Sequence, residues 1–150
     1  MSDLHSSNAE VIQEFRQNGG IVGGFYEGAS LLLLTTIGRR SGRAYTVALA
    51  YQVAGDRLIV VPANIGAGRN PDWYHNLMAH PEATVELGTE TVPVIASLVQ
   101  GEERDRILAA SQQAWTEAMA RYPDLPAMPA EEVSRYPVIA LTPRRTLPQP

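Results

Sequence analysis

One short turn carries most of the residues that could bind an anion. Residues 38–43, GRRSGR, follow an apolar run and place Arg39, Arg40, Ser41 and Arg43 on a turn flanked by glycine. The planar guanidinium group donates two parallel hydrogen bonds and therefore suits phosphates and carboxylates. The turn predicts a local anion site, and the alternative is a solvated hairpin turn whose charges serve solubility.

A second segment could complete that site. A glycine-rich loop leads into RNPDWYHNL, where Asn70 is the expected N-cap and Pro71 the first residue of a helix. The free N–H groups at a helix start attract anions, and Arg69 adds a charge beside them. Trp73 and Tyr74 offer flat surfaces to a ring, although such aromatics also anchor short helices to their domains. Together these features favour a binding role.

Composition removes several classes of function. The 150 residues carry a net charge of -4, which argues against a nucleic-acid partner. The absence of cysteine and lysine excludes disulfides, thiolate nucleophiles and Schiff bases. His75 and His80 are five apart on a predicted helix and point in different directions, so no metal site is expected. Without a signal-peptide pattern or an apolar run of about 20 residues, we expect a cytoplasmic protein with no integral membrane span.

Apolar periodicity and turn residues predict a mainly β (α+β) domain. A first helix should begin at a capping box at Ser7 and end at Gly19-Gly20, and a long helix should run from about 102 to 121. Short turns and few helices favour a small closed or partly closed barrel of about six mostly antiparallel strands with flanking helices. The strands are expected at residues 31–37, 44–53, 58–61, 84–87, 91–99 and 138–141.

Two motifs resemble the deazaflavin-dependent nitroreductase family. TTIGRRSG matches the family pattern T-T-x-G-R-x-[ST]-G, and NPDWYHNL with the later PEATV matches N-P-x-W-Y-x-N-L followed by P-x-x-x-V. The resemblance implies a split β-barrel oxidoreductase that uses the 8-hydroxy-5-deazaflavin coenzyme F-420. The expected division is an N-terminal helix with a flexible connector (1–29), a deazaflavin-binding split barrel (30–142) and a disordered tail (143–150).

The resemblance also implies where the coenzyme lies. Its tail of phosphate and glutamates would meet the arginine turn, and the following strand would line the groove. A strand end with its loop would face the ring, and the short helix would close over the ribityl phosphate. Tyr45 stands where the family often has a basic residue, for which Arg43 could substitute. The cofactor-binding residues expected on this basis are Arg39, Arg40, Ser41, Arg43, Tyr45, Thr46, Val47, Ala48, Val61, Pro62, Ala63, Asn64, Arg69, Asp72, Trp73, Tyr74, His75 and Asn76.

The expected reaction is hydride transfer from reduced F-420 to a small acceptor such as a quinone, an enone or a nitroaromatic. The coenzyme supplies the chemistry, so no side chain needs to be a nucleophile. Tyr122 and Tyr136, which bracket a proline-rich loop, are the candidate catalytic proton donors. The alternatives are a non-catalytic deazaflavin-binding or carrier protein and an FMN- or haem-binding split-barrel protein. We expect a monomer or a homodimer.

Overall fold

The chain folds around one antiparallel sheet with helices packed against it, which confirms the mainly β prediction. The computed structural model describes residues 8–23, 30–62, 69–124 and 130–144. Predicted strand ends differ from the observed ones by one or two residues, apart from one divided strand. The elements are α1 (Asn8–Gln17), β1 (Leu31–Ile37), β2 (Ala44–Ala50), β3 (Gln52–Ala54), β4 (Arg57–Val60), α2 (Asp72–Ala79), β5 (Glu82–Leu87), β6 (Glu90–Leu98), α3 (Gly101–Arg121), α4 (Ala130–Val133) and β7 (Ile139–Pro143).

The two edge strands of the sheet are neighbours in the chain. The strand order is β2-β1-β5-β6-β7-β4-β3, with every pair antiparallel. Because β2 ends at Ala50 and β3 begins at Gln52, Tyr51 alone joins the two edges. The sheet must therefore curl into a partly closed barrel. The sequence predicted one strand over 44–53, and the corner at Tyr51 divides it, so the sheet has seven strands instead of six.

Strand β1 is buried on both faces, which explains its run of four leucines. Leu32 and Leu34 belong to the main core. Leu31 and Leu33 pack on the other face against α1, where Phe15 is fully buried. A strand covered on both sides loses the alternation of apolar and polar residues. Burial of each leucine stabilises the folded protein by about 1.5–3 kcal/mol, so this strand anchors both layers.

Helix α1 is fixed to the sheet near its C-terminal end. Arg16 donates Nε and Nη2 to the two carboxylate oxygens of Glu86 on β5, at 3.0 and 2.7 Å. This hydrogen-bonded pair raises the pKa of Arg16. The helix ends where predicted, because Gly19 and Gly20 have φ values of 63° and 100°. A β-carbon on Gly20 would lie 2.8 Å from Cα of Gly88, so glycine lets the helix end meet the β5–β6 turn.

Helix α3 buries less of its surface than its sequence predicts. Residues from Ile107 to Met119 have the spacing of one apolar face, but only Ile107 and Leu108 are buried. Helix α4, which the sequence did not predict, packs beside it. Both helices contribute to a second core cluster, made of Ile59, Val99, Ile107, Leu108, Val133, Tyr136, Val138 and Ala140.

The described part of the chain contains neither a membrane-spanning helix nor a metal-binding group. None of the helices in these ranges is both long enough and apolar enough to cross a membrane. No three histidine, aspartate or glutamate side chains within the same ranges come together to hold a metal ion.

Candidate functional site

A cavity of about 640 Å³ opens where the arginine turn meets the start of α2. This volume lies within the range of roughly 300–1,000 Å³ that is usual for small-molecule sites. The two predicted motifs therefore share one cavity, together with the first half of β2 and the start of α1. The lining residues are Asn8, Gly38, Arg39, Arg40, Ser41, Tyr45, Thr46, Val47, Pro71, Asp72, Trp73 and Asn76.

The arginine turn is closed by hydrogen bonds among its own residues. The N–H of Gly38 donates to the carbonyl of Arg43 at 2.7 Å, and the N–H of Gly42 donates to the carbonyl of Gly38 at 3.0 Å. Gly42 has a φ of 72°, which favours glycine. Ser41 Oγ accepts the N–H of Arg43 at 3.2 Å and lies 3.0 Å from the hydroxyl of Tyr45. These bonds fix the shape of the loop that carries the arginines.

The absence of a side chain at Gly38 lets two neighbours pack onto the turn. A β-carbon there would lie 2.6 Å from Ser41 Oγ and 2.6 Å from Cε2 of Tyr45. Any larger residue would push the tyrosine ring away from the turn. Tyr45 remains 48% exposed at the rim of the cavity, so its ring is available to a ligand.

The buried side chain of Asn76 joins α2 to the turn. Asn76 is 5% exposed, and its Oδ1 accepts the backbone N–H of Arg39 at 3.1 Å and Nη1 of Arg39 at 3.2 Å. Its Nδ2 donates to Thr36 Oγ1 at 3.2 Å. A buried amide costs free energy unless it is hydrogen-bonded, so these contacts hold α2 and the turn in one arrangement. Asn76 is thus a predicted site residue that positions Arg39.

The two cavity arginines differ in how far the protein uses their donors. Arg39 bonds to Asn76, and its Nη2 lies 3.5 Å from Oδ1 of Asp72. The exposed guanidinium of Arg40 makes no hydrogen bond or ion pair within the described ranges. Unused guanidinium N–H groups beside a cavity are what an anionic ligand requires. The charged side chains of the lining are these two arginines and one aspartate.

Helix α2 spans Asp72–Ala79, and its N-cap lies one residue later than the sequence predicts. Pro71 occupies the N-cap position with φ −68° and ψ 161°, and no side chain caps the helix. The expected N-cap at Asn70 is therefore wrong, because the residue before the helix start at Asp72 is Pro71. Trp73 is 8% exposed and belongs to the main core while also lining the cavity. It performs both functions that the sequence left as alternatives: it anchors the helix and presents surface to the cavity.

Asn8, at the start of α1, is a cavity residue that sequence reasoning missed. Its Nδ2 donates to the carbonyl of Thr46 at 2.8 Å, and its Oδ1 accepts the N–H of Ala48 at 3.2 Å. The amide thus takes the place of a neighbouring strand along the edge of β2. The hydroxyl of Thr46 lies 2.7 Å from that of Thr35. In the sequence, Asn8 looks like part of a capping box, and nothing local indicates a contact with a strand 38 residues away.

Several predicted cofactor-binding residues lie away from the cavity lining. Tyr74 is half-buried and meets the ring of His75 edge-on, with the centroids 5.2 Å apart. Val61 packs against the second core cluster. Ala63 and Asn64 fall outside the described residues. The predicted residues that the described part of the chain places outside the lining are Arg43, Ala48, Val61, Pro62, Arg69, Tyr74 and His75.

The two candidate proton donors have different surroundings, and neither lines the cavity. Tyr136 is 7% exposed in the second core cluster, and its hydroxyl donates to the carboxylate of Glu132. Burial and then this bond raise the pKa of Tyr136 well above its ordinary value of 10.0, which makes it a weaker proton donor. Tyr122 is half-buried at the C-terminal cap of α3, with the guanidinium carbon of Arg121 5.6 Å from its ring centre.

The curled sheet defines a split-barrel protein, and the charge of its arginine-bearing cavity suits an anionic ligand. A solved structure described as an F420-H2-dependent reductase, FDR-A, matches the fold with a TM-score of 0.55 and 25% identity. The match covers 75% of this chain and 93% of that chain. A family model described as F420H(2)-dependent quinone reductase matches residues 8–128. Since this match spans most of the chain, the protein belongs to the F420H(2)-dependent quinone reductase family.

Curated relatives agree with this assignment. A candidate F420H(2)-dependent quinone reductase of Mycobacterium tuberculosis, Rv3178, is 31% identical over 121 residues, which cover 81% of this chain and 96% of the relative. A second M. tuberculosis protein, the F420H(2)-dependent quinone reductase Rv1261c, is 35% identical over 92 residues, 61% of this chain and 62% of the relative. The predicted split barrel and coenzyme are confirmed, and the protein is an oxidoreductase that uses F-420. The family match begins at Asn8 and therefore includes α1.

Proposed function

We propose that the protein transfers a hydride from reduced F-420 to a quinone. The observation that carries this proposal is the family match over residues 8–128. The excess of positive charge in the cavity lining supports the binding of an anionic coenzyme. When bound, the deazaflavin supplies the hydride, while the chain binds, orients and shields the reactants. This division suits a protein that has no cysteine or lysine to act as a nucleophile.

The arginine turn would hold the anionic tail of the coenzyme. Arg40 offers a guanidinium that the described residues leave unpaired, and Arg39 is held in place by Asn76. Ser41 offers a hydroxyl on the same loop. Hydrogen bonds to charged groups contribute about 1.5–3 kcal/mol each, so two arginines would supply much of the binding free energy.

The walls of the cavity would align the bound coenzyme. Thr46 and Val47 line it from β2, and Trp73 lines it from α2. Asn8 holds the edge of β2, and the core packing of Trp73 holds α2. Rigid walls on two sides restrict the bound molecule and exclude water, which favours a productive approach of donor and acceptor.

Of the two candidate proton donors, Tyr122 remains the one to test, because the hydroxyl of Tyr136 is bonded to Glu132 and its raised pKa disfavours proton release. Tyr122→Phe removes the hydroxyl and keeps the ring. We expect a lower kcat with quinone and an unchanged Kd for F-420, measured by steady-state turnover and by calorimetry. An unchanged kcat would assign the proton to another group or to water.

A turnover assay tests the proposed reaction. The protein is mixed with reduced F-420 without oxygen, a quinone is added, and the absorbance of the oxidised deazaflavin is followed. We expect oxidation that requires both protein and quinone, and an enone and a nitroaromatic in parallel assays define the range of acceptors. Tight binding of F-420 without turnover of any quinone would contradict the proposal and favour a carrier protein.

A comparison of two cofactors tests the remaining alternative, an FMN-binding split-barrel protein. Calorimetric titrations with F-420 and FMN are run on the same protein at the same ionic strength. The tail of glutamates and phosphate should give F-420 the lower Kd, because it can engage both cavity arginines. A lower Kd for FMN would favour an FMN-binding split-barrel protein.

A further inference from the structure

The guanidinium of Arg39 contacts two side chains of α2. Its Nη1 donates to Asn76, and its Nη2 faces the carboxylate of Asp72 at 3.5 Å. Asp72 and Asn76 are one helical turn apart, so α2 presents a neutral acceptor and an anion to the same guanidinium. The side chain of Arg39 is 30% exposed and that of Asp72 is 79% exposed.

The carboxylate of Asp72 occupies a place on Arg39 that an anionic ligand would need. Asp72 and Arg39 both line the cavity. An anion that binds Arg39 must either displace this carboxylate or lie beside it, and like charges a few ångströms apart repel even in a solvated site. The sequence placed Asp72 among the coenzyme's binding residues, whereas its geometry opposes an anion.

We propose that Asp72 competes internally with the coenzyme's anionic tail for Arg39, and so lowers affinity and speeds release. This inference rests on the proposed function, which places the tail at the arginine turn. When the tail leaves, the carboxylate reoccupies Arg39 and compensates its charge. A coenzyme that must be exchanged for its reduced form after every turnover benefits from such a counter-ion.

The chain contains a closely matched pair outside the cavity. Arg104 and Asp105 also lie 3.5 Å apart, with side-chain exposures of 24% and 75%. Arg104 likewise donates to neutral oxygens, the carbonyls of Ser134 and Tyr136. Asp105→Asn therefore makes the same change in net charge on a similar ion pair that does not line the cavity.

The test is the binding of F-420 to Asp72→Asn and Asp105→Asn, measured by calorimetry at low and high ionic strength and by stopped-flow dissociation. We expect Asp72→Asn to bind the coenzyme about three- to tenfold more tightly at low salt, mainly through slower dissociation. The gain should shrink at high salt. Asp105→Asn should match the unmodified protein.

A double-mutant cycle shows whether the effect passes through Arg39. In an Arg39→Gln background, the added Asp72→Asn change should raise the affinity for F-420 less than twofold, because the guanidinium for which carboxylate and tail compete is absent. Thermal unfolding of each variant gives a check on folding, and Asp72→Ser is a second variant that removes the charge while keeping a small polar side chain at the helix start.

Three results would overturn the inference. Equal affinity of Asp72→Asn and unmodified protein for F-420 would show that the carboxylate has no effect on binding. Weaker binding would make Asp72 a ligand of the coenzyme's hydroxyl groups. A full gain in the Arg39→Gln background would show that the effect does not pass through Arg39. These results require that the unmodified protein binds F-420, whereas absence of that binding would refute the proposed function itself.

Discussion

Two regions of the molecule use arginine in opposite ways. At the cavity, the guanidinium of Arg40 has no partner among the described residues, and Arg39 is only partly compensated. Around the second core cluster, Arg57 pairs with Glu103, and Arg104 donates to two backbone carbonyls at 2.7 Å. Unused arginine donors therefore point to a ligand site where they line a cavity, as Arg39 and Arg40 do.

The two regions also differ in how they close. The second core cluster joins α3 and α4 to the sheet, with Tyr136 bonded to Glu132 inside it. The cavity is framed by two asparagines, since Asn76 joins α2 to the turn and Asn8 holds the edge of β2. One region is completed by the protein itself, and the other is left open for the coenzyme that we propose binds there.

The largest effect should come from removing both cavity arginines. Arg39→Ala with Arg40→Ala should weaken F-420 binding about 100-fold or more at low salt, because each charge-assisted bond contributes about 1.5–3 kcal/mol. The loss should be smaller at high salt. Calorimetry measures it. Arg104→Ala provides the opposite case: it should lower the free energy of unfolding and leave the Kd unchanged. Equal affinity of the double variant at low salt would place the tail elsewhere.

The next effect concerns Asn76, which connects the cavity to the core. Asn76→Ala leaves the buried hydroxyl of Thr36 and the N–H of Arg39 without their partner. We expect a loss of about 1–3 kcal/mol in the free energy of unfolding and about tenfold weaker coenzyme binding. Denaturant unfolding and calorimetry measure the two. Met78→Ala, on an exposed part of the same helix, is the control. A stability loss with unchanged affinity would limit Asn76 to a structural role.

A smaller effect should follow from releasing the edge of β2. Asn8→Ala removes both bonds to the strand but leaves Arg16 and Glu86 to hold α1 on the sheet. We expect about three- to fivefold weaker F-420 binding, since two exposed hydrogen bonds contribute about 0.5–1.5 kcal/mol each and only part of that affects the ligand. Gln13→Ala, exposed on α1, should have no effect. Equal Kd values for the two variants would remove Asn8 from the site.

The smallest effect should be a loss of stability at alkaline pH, caused by Tyr136 in the second core cluster. The pKa of Tyr136 is raised in the folded protein, so its contribution is constant below about pH 10, the pKa of an unfolded tyrosine. Above that pH the unfolded chain loses a proton that the folded chain keeps, and stability falls. Denaturant unfolding of Tyr136→Phe between pH 9 and 11 should show a shallower fall than the unmodified protein. Parallel curves would show that Tyr136 titrates normally.

The local parts of the site could be predicted from the sequence, because each lies within one short segment. Glycine and arginine residues indicate the turn at 38–43, and a proline indicates the start of the helix at Asp72. The two motifs in this order resemble one family, and that resemblance implied the coenzyme. The long-range parts could not be predicted in this way, since the contact of Asn8 with Thr46 spans 38 residues and has no local signature.

The fold shows the same limit. The buried run in β1 predicted a strand, but not that α1 covers one of its faces. The corner at Tyr51 escaped prediction because β-propensity continues through it, and only closure of the sheet requires the bend. Helix α3 has apolar spacing over its length, yet the sheet covers only its first turns at Ile107 and Leu108. Periodicity predicts which face can be buried, and tertiary packing decides how much of it is.

A crystal structure of the protein with oxidised F-420 would show directly whether the cavity between the arginine turn and α2 holds the coenzyme through Arg39 and Arg40. We expect a phosphate or carboxylate of the tail within about 3 Å of each guanidinium, with Asn76 still bonded to Arg39. A tail bound elsewhere on the barrel, with the arginine turn unchanged and free of ligand, would contradict it.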